Sequence, residues 1–198
     1  MPLIGICGGT ASGKSTLAKQ IKSYFSKIGV VCIVSDSYYK DHSSLNFKER
    51  SKINFDHPDS IDFDLLVKNL KKLKNNQKIK EPVYSYKTHK RLKKTKIVLP
   101  KKIIIVEGLH VYCNDDLIKL FDYKFFLDLD SKTRLKRRTK RDTKERNRSI
   151  EEIKKRYFDM VEPMYEKFIE PSKKHSDLIM NANSINFKKI IEKIDEIL

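Results

Sequence analysis

Short, nearly uninterrupted apolar runs occupy residues 3–7, 30–34, 102–106, 123–127 and 178–180. Runs of this length without polar alternation predict strands of a sheet that is covered on both faces. Between them, apolar positions recur at helical spacing over residues 15–28 (Leu17, Ile21, Tyr24, Phe25, Ile28), 61–73, 115–121, 132–139, 150–168 and 187–198. This alternation predicts parallel strands joined by crossover helices, with any ligand beyond the carboxyl ends of the strands. One stretch departs from it. Residues 81–86 and 95–99 both read as strands with basic and polar residues between them, which predicts a β-hairpin arm over about 81–99. Period-two alternation puts Tyr84 and Tyr86 on one face of that arm, where they can pack on the core or on a flat ligand. No internal repeat or Gly/Ser linker divides the 198 residues, a length that suits one domain spanning 1–198.

Glycine placement sharpens the picture. Four of the six glycines fall within the first thirteen residues. Gly8, Gly9, Thr10, Ala11, Ser12, Gly13, Lys14 and Ser15, followed by Thr16, fit G-x-x-x-x-G-K-[ST], the loop that wraps a nucleotide's phosphates. The loop stands where it must, after an apolar strand and before a helical pattern. Backbone N–H groups and the helix N-terminus would hold the phosphates. Lys14 would reach the β- and γ-phosphates, and the Ser15 hydroxyl would hold Mg²⁺.

Two acids end predicted strands. Asp36 follows the second run at once, in the crevice the phosphate loop faces, where it can accept the proton of an attacking hydroxyl. The competing reading is a turn or cap aspartate, and the neighbouring loop favours the catalytic one. Glu107, before Gly108, ends the run 103–106 and would act on Mg²⁺ or its bound water. The segment 134–148 is densely basic, with Arg138 and Arg141 three apart and Arg146 and Arg148 beyond them. It is either a solvated helix, a nucleic-acid stripe, or a lid that folds on the triphosphate. The phosphate loop favours the lid, because arginine's planar donors suit phosphate.

The net charge of +17 fits either a lysine-rich surface or an anionic partner. Nucleic acid is disfavoured, because aromatic interleaving of the kind that stacks bases is missing. No apolar run approaches the length that crosses a bilayer, and the first strand starts too early for a signal peptide, so the expectation is a soluble cytoplasmic protein without membrane association. Cys7, Cys32 and Cys113 are widely spaced, and the first two read as buried thiols. Together these readings give an α/β fold of the three-layer phosphate-loop NTPase type, with a parallel sheet, a hairpin arm and a basic lid.

Longer motifs then match a family. Beside the phosphate loop stand Asp36-Ser37-Tyr38-Tyr39-Lys40-Asp41, Asn54-Phe55-Asp56-His57-Pro58-Asp59, Pro82-Val83-Tyr84 with His89 and Arg91, Glu107-Gly108-Leu109, and Arg141-Asp142 with Glu145-Arg146-Asn147-Arg148. Pro163-Met164 and Phe168-Ile169-Glu170-Pro171-Ser172-Lys173 complete the set. Nearly end to end, the chain resembles the uridine–cytidine kinases of the phosphoribulokinase-like branch of phosphate-loop kinases. That resemblance implies transfer of the γ-phosphoryl of ATP or GTP to the 5′-hydroxyl of uridine or cytidine, with Mg²⁺ and a homo-oligomeric, commonly tetrameric, assembly. It implies Asp36 as base, and Asp56, Arg138 and Arg148 on the ribose hydroxyls. Phe55, Tyr84, Tyr86 and His89 would enclose and read the pyrimidine, and Arg141 and Arg146 would contact phosphate.

Several positions depart from the family pattern. Ser85 stands for Asp and Tyr86 for Phe in the hairpin, Asn147 for Gly after the lid, and Arg156 for a Gln that lies close to the nucleoside. Residues 181–184 differ from the usual loop that frames the purine. Two other classes remain open at this point: a kinase of another small alcohol, and a nucleotide-dependent nucleic-acid-binding or regulatory protein.

Overall fold

The computed structural model describes residues Met1–Leu198. Strands β1 (Leu3–Gly8), β2 (Val30–Val34), β5 (Ile103–Gly108), β6 (Tyr123–Asp128) and β7 (Leu178–Asn181) form one parallel sheet in the order β2-β5-β1-β6-β7. Central β1 pairs with β5 and β6, setting Ile6 opposite both Glu107 and Phe125. The apolar runs cover both faces because successive side chains point to opposite sides. Ile4, Ile6, Ile103, Ile105, Phe125 and Leu127 pack under α1 (Lys14–Tyr24) and α9 (Phe187–Asp195). Leu3, Cys7, Ile104, Val106 and Phe126 pack on the other face, against α3 (Phe63–Lys74) and the helical residues Tyr165 and Ile169. The result is three layers.

The arm is a separate two-stranded antiparallel sheet, β3 (Ile79–Ser85) with β4 (Lys90–Val98), whose register shifts between Pro82 and Val83. Proline cannot donate to a ladder, so the irregularity falls where it stands. Arg91 of β4 ties the arm to the turn after β2, donating to the carbonyls of Tyr39 (2.9 Å) and Tyr38 (3.0 Å) and to Asp62 (3.0 Å). A short α2 (Phe47–Ser51), closed by a capping box between Asn46 and Glu49, and α4 (Asp115–Ile118) complete the acceptor side. Arg50 of α2 is buried and donates to the carbonyls of Thr88 (3.2 Å) and Leu45, which holds the hairpin turn.

Several expectations need correction. Helix α1 ends at Tyr24, so Tyr24 and Ile28 are exposed instead of continuing the buried stripe. Cys32 is half-buried. The basic segment is a single helix, α5 (Ser131–Arg146), twice as long as its apolar pattern suggests. One of its faces is built into the fold. Arg134, Arg138 and Asp142, each four apart, face inward and are buried. Arg134 lies over the Tyr165 ring (3.5 Å), donates to Glu162 (3.0 Å), and runs so close to Gly9 that a Cβ there would meet its Cδ at 2.6 Å. The predicted helix over 150–168 starts as α6 (Ile150–Arg156) and then widens into π turns at Tyr157–Val161 and Tyr165–Ile169. The short α7 (Glu162–Met164) and α8 (Glu170–Ser172) follow them and carry Pro163 and Pro171. A proline lacks the N–H that continues an α-ladder, and the wider turn absorbs the break.

His110, just after β5, is almost fully buried, and neither ring nitrogen has a partner in the chain. Burial, with His57 and Lys14 adding to it, pushes its pKa down to about 3. A depressed histidine pKa means that the unfolded chain binds the proton first. Its contribution is fully present above the ordinary value near 6.5 and is lost as pH falls from there toward about 3. In wild type the contribution amounts to as much as about 1.4 kcal/mol per pH unit in that window. Thermal unfolding from pH 7.5 to 5 should therefore be steeper for wild type than for His110→Leu. Parallel curves would show that His110 does not titrate on unfolding.

Candidate active site

The phosphate loop leaves β1 at Gly8, and its geometry explains its residues. Gly13, before α1, is left-handed at φ 99°, and a Cβ there would meet nothing within 4 Å, so conformation and not space calls for glycine. Around the loop's inner side, Lys14 is buried and its Nζ donates to the carbonyls of Gly8 (2.9 Å) and Gly9 (2.8 Å). One of its three N–H donors is left over for a ligand. Burial lowers the Lys14 pKa, and the Glu107 carboxylate opposes that shift. Ser15 Oγ donates to Glu107 Oε1 at 2.5 Å. Burial in turn raises the pKa of Glu107, against the pull of Lys14 and Ser15.

Because β2 and β5 lie side by side, Asp36 and Glu107 leave the same edge of the sheet as the loop. Asp36 sits in a 3-10 turn, Ser35–Tyr38, and accepts a hydrogen bond from the Tyr86 hydroxyl at 2.9 Å on Oδ2. Tyr86 comes from the hairpin, so the arm reaches across to the acid. An aromatic wall follows. Tyr39, Phe55 and Tyr84 contact one another edge-on with centroids 4.9–5.9 Å apart, and His89 stacks on Phe55 at 5.4 Å with planes 13° apart. The Tyr84 hydroxyl is buried without a partner. Burial lowers the His89 pKa, and Arg148, Arg156, Arg50 and Arg146 push it the same way, so its imidazole is neutral at physiological pH. Asp56 is buried, which raises its pKa, while Arg138 and Arg156 pull it back.

The basic helix closes the remaining side. Arg138 Nη1 donates to the loop's Thr10 hydroxyl at 3.0 Å. Arg146 lies over the Tyr86 ring at 4.7 Å. Asn147 takes the left-handed conformation, φ 51°, that ends the helix, and the chain turns back so that Arg148 also reaches the cleft.

One cleft of about 290 Å³ gathers most of the residues singled out by sequence: Thr10, Ala11, Lys14, Ser15, Asp36, Phe55, Asp56, Tyr84, Tyr86, His89, Glu107, Arg138, Arg141, Arg146 and Arg148. Gly8, Gly9, Ser12, Gly13 and Thr16 lie outside its lining. Ser12 is fully buried beneath the loop, and Thr16 is exposed on α1. Tyr39, Leu109 and Arg156 also line the cleft. Tyr39 was missed as a site residue because the motif that contains it also holds Tyr38, which turns into the core and accepts from Asn69 at 3.0 Å.

Comparison with known proteins settles the kinship. Residues 3–187 match the phosphoribulokinase/uridine kinase family. The chain belongs to that family. A protein named uridine kinase from Clostridium tetani is 47% identical over 184 residues, covering 93% of this chain and 88% of that protein. A second, from Clostridium novyi, is 43% identical and covers 99% of this chain and 96% of its own length. Among solved structures, phosphoribulokinase from Rhodobacter spheroides superposes with a TM-score of 0.64 at 13% identity, over 92% of this chain and 72% of that one. At that identity the likeness concerns the fold, which is the α/β phosphate-loop arrangement described above. No helix of this family member is long and apolar enough to cross a membrane.

Proposed function

We propose that residues 1–198 act as one kinase unit that transfers the γ-phosphoryl group of ATP or GTP to the 5′-hydroxyl of uridine and cytidine, giving UMP and CMP. The observation that carries this reading is the single cleft in which a phosphate loop, a strand-end carboxylate and an aromatic pocket meet. Relatives named uridine kinase, at 41–47% identity over nearly the full chain, support the acceptor.

On the donor side, the loop's backbone N–H groups and Lys14 hold the phosphates. A hydroxyl and a carboxylate beside the loop, Ser15 and Glu107, are the oxygen donors that suit Mg²⁺. When bound, Mg²⁺ neutralises charge on the β- and γ-phosphate oxygens. On the acceptor side, Phe55, Tyr84 and Tyr86 enclose the pyrimidine. Neutral His89 presents one ring nitrogen as donor and one as acceptor. Asp56, Arg138 and Arg148 hold the ribose hydroxyls. Tyr86 occupies Oδ2 of Asp36, which leaves Oδ1 for the 5′-hydroxyl. As that oxygen bonds to the γ-phosphorus, its proton passes to Asp36. The bond to the β,γ-bridging oxygen breaks, and the nucleoside diphosphate leaves with the electron pair. Arg141 and Arg146 stabilise charge on the group in transit.

A coupled assay with Mg²⁺ and either purine donor tests the reading against uridine, cytidine, other nucleosides, pantothenate and sugar phosphates. Turnover should be confined to pyrimidine ribonucleosides. Phosphorylation of another alcohol in their place would overturn the acceptor assignment. Arg91→Ala should raise KM for uridine about tenfold or more, because three hydrogen bonds that seat the arm are lost. An unchanged KM would mean that the arm is held in another way. A purine-nucleotide donor supports a cytoplasmic setting. The exposed apolar Ile97 and Leu99 of the arm support assembly into a homo-oligomer, which light scattering reads directly.

A further inference from the structure

Inside the arginine-rich helix sits one acid with no exposure at all. Asp142 is completely buried, yet no chemical step calls on it. Its two carboxylate oxygens meet three guanidinium groups. Arg141 Nε donates to Oδ1 at 2.7 Å, whereas Arg146 Nε at 3.6 Å from Oδ1 and Arg138 Nε at 3.4 Å from Oδ2 are ion-pair contacts, and Oδ2 has no hydrogen-bond partner. Each contact is made through Nε. That choice leaves the terminal nitrogens of Arg141 and Arg146 out of these contacts, while Arg138 Nη1 donates to the Thr10 hydroxyl, and all three side chains line the cleft. The backbone of the same residue does further work. Its carbonyl accepts the N–H of Asn147 and the N–H of Arg148 (3.2 Å), which fixes the left-handed turn that returns Arg148 to the site.

We propose that Asp142 is a positioning residue that bonds Arg141 through Nε and pairs with the flanking Arg138 and Arg146, so that the terminal nitrogens of Arg141 and Arg146 are set in advance for the anionic donor and Arg138 is held beside the loop. This deepens the kinase reading and rests on it. Three guanidinium groups crowded beside one another repel, and a flexible arginine loses rotamer freedom on capture. A buried carboxylate at their centre removes both costs before substrate arrives. Burial alone would raise the pKa of Asp142, but Arg141, Arg146 and Arg138 outweigh it and hold the carboxyl below its ordinary value. It therefore stays charged throughout the working pH range. The acid also leaves the cluster with excess positive charge, and that excess faces the cleft.

The test is a double-mutant cycle in the full chain with Asp142→Asn, Arg146→Ala and both together. Three quantities are read per folded molecule: the thermal midpoint, Mg–ATP affinity by calorimetry without acceptor, and kcat with uridine. Asparagine keeps the shape and one acceptor but loses the charge. Asp142→Asn should bind Mg–ATP about tenfold more weakly and turn over about a hundredfold more slowly. Combined with Arg146→Ala, it should cost no more than about threefold beyond the worse single change, since it acts through that arginine. Full binding and turnover per folded molecule in Asp142→Asn, or effects that multiply in the double variant, would overturn the proposal. If Asp142→Asn does not fold, Asp142→Glu decides. It keeps the charge but displaces the arginines, so kcat should fall at least tenfold with the thermal midpoint nearly unchanged. Normal kcat in that variant would refute the role. The affinity arm needs no acceptor, so a wrong acceptor assignment shows as no uridine turnover in wild type while the Mg–ATP coupling can still be read.

Discussion

Asp36→Asn should lower kcat about 10²–10⁴-fold while leaving Mg–ATP affinity within a few-fold of wild type. The substitution is nearly isosteric. Its amide oxygen can still accept from the Tyr86 hydroxyl, so the contact between hairpin and turn survives. What disappears is the capacity to take a proton. The 5′-hydroxyl must then attack without a base, while the phosphate loop, Lys14 and the arginines still hold the donor. Single-turnover phosphorylation of uridine, measured beside calorimetric titration with Mg–ATP, separates the two quantities. A kcat within tenfold of wild type would remove Asp36 as base. A parallel collapse of Mg–ATP binding would mean that the residue supports the loop instead.

Gly108→Ala should destabilise the fold by about 3 kcal/mol and reduce activity with it. The cause is contact and not backbone conformation, since Gly108 is not among the left-handed glycines. A Cβ on this residue would lie 1.8 Å from Ser35 Oγ and 2.7 Å from Ser35 Cβ, both buried beside it. Ser35 opens the turn that carries Asp36, so the strain moves the base as well as the core. Adding Ser35→Ala removes the nearer clash and leaves the other. Ser35 Oγ has no hydrogen-bond partner, so its loss costs little. Urea unfolding should show partial recovery in the double variant. No loss in Gly108→Ala alone would show that β5 and the Asp36 turn can separate freely.

The sheet and the phosphate loop were legible in the sequence because their signals are local. Apolar runs of strand length, glycines at positions of special φ, and acids at strand ends each depend on a few neighbouring residues. The pieces that escaped depend on distant partners. Arg91 seats the arm by bonding carbonyls 52 and 53 residues away, and Arg50 reaches Thr88, 38 residues on. Neither bond leaves a periodic trace. Tyr38 and Tyr39 are adjacent, chemically alike and both buried, and what separates them is that Tyr38 bonds Asn69 on α3 while Tyr39 lines the cleft. The basic helix misled in a different way. Buried arginines break the rule that charge faces water, so nothing in the basic run marked Arg134, Arg138 and Asp142 as one inward stripe. In the sequence Asp142 stands only as part of the Arg141-Asp142 motif, without a role of its own. Its contacts with Arg138, Arg141 and Arg146 follow from burial of that face, which the charge pattern does not record. The helix over 150–168 had its extent nearly right, but Pro163 and Pro171 force turns that no apolar period records.

The central claim is that the cleft brings a nucleoside's 5′-oxygen onto Asp36 and against the γ-phosphorus of the donor. Phosphorus NMR of the product formed from uridine, Mg²⁺ and ATP tests it most directly. The account predicts a monophosphate signal split by the two 5′-methylene protons, absent when 5′-deoxyuridine replaces uridine. A signal split by the single 2′ or 3′ ribose proton, or no new monophosphate signal at all, would contradict it.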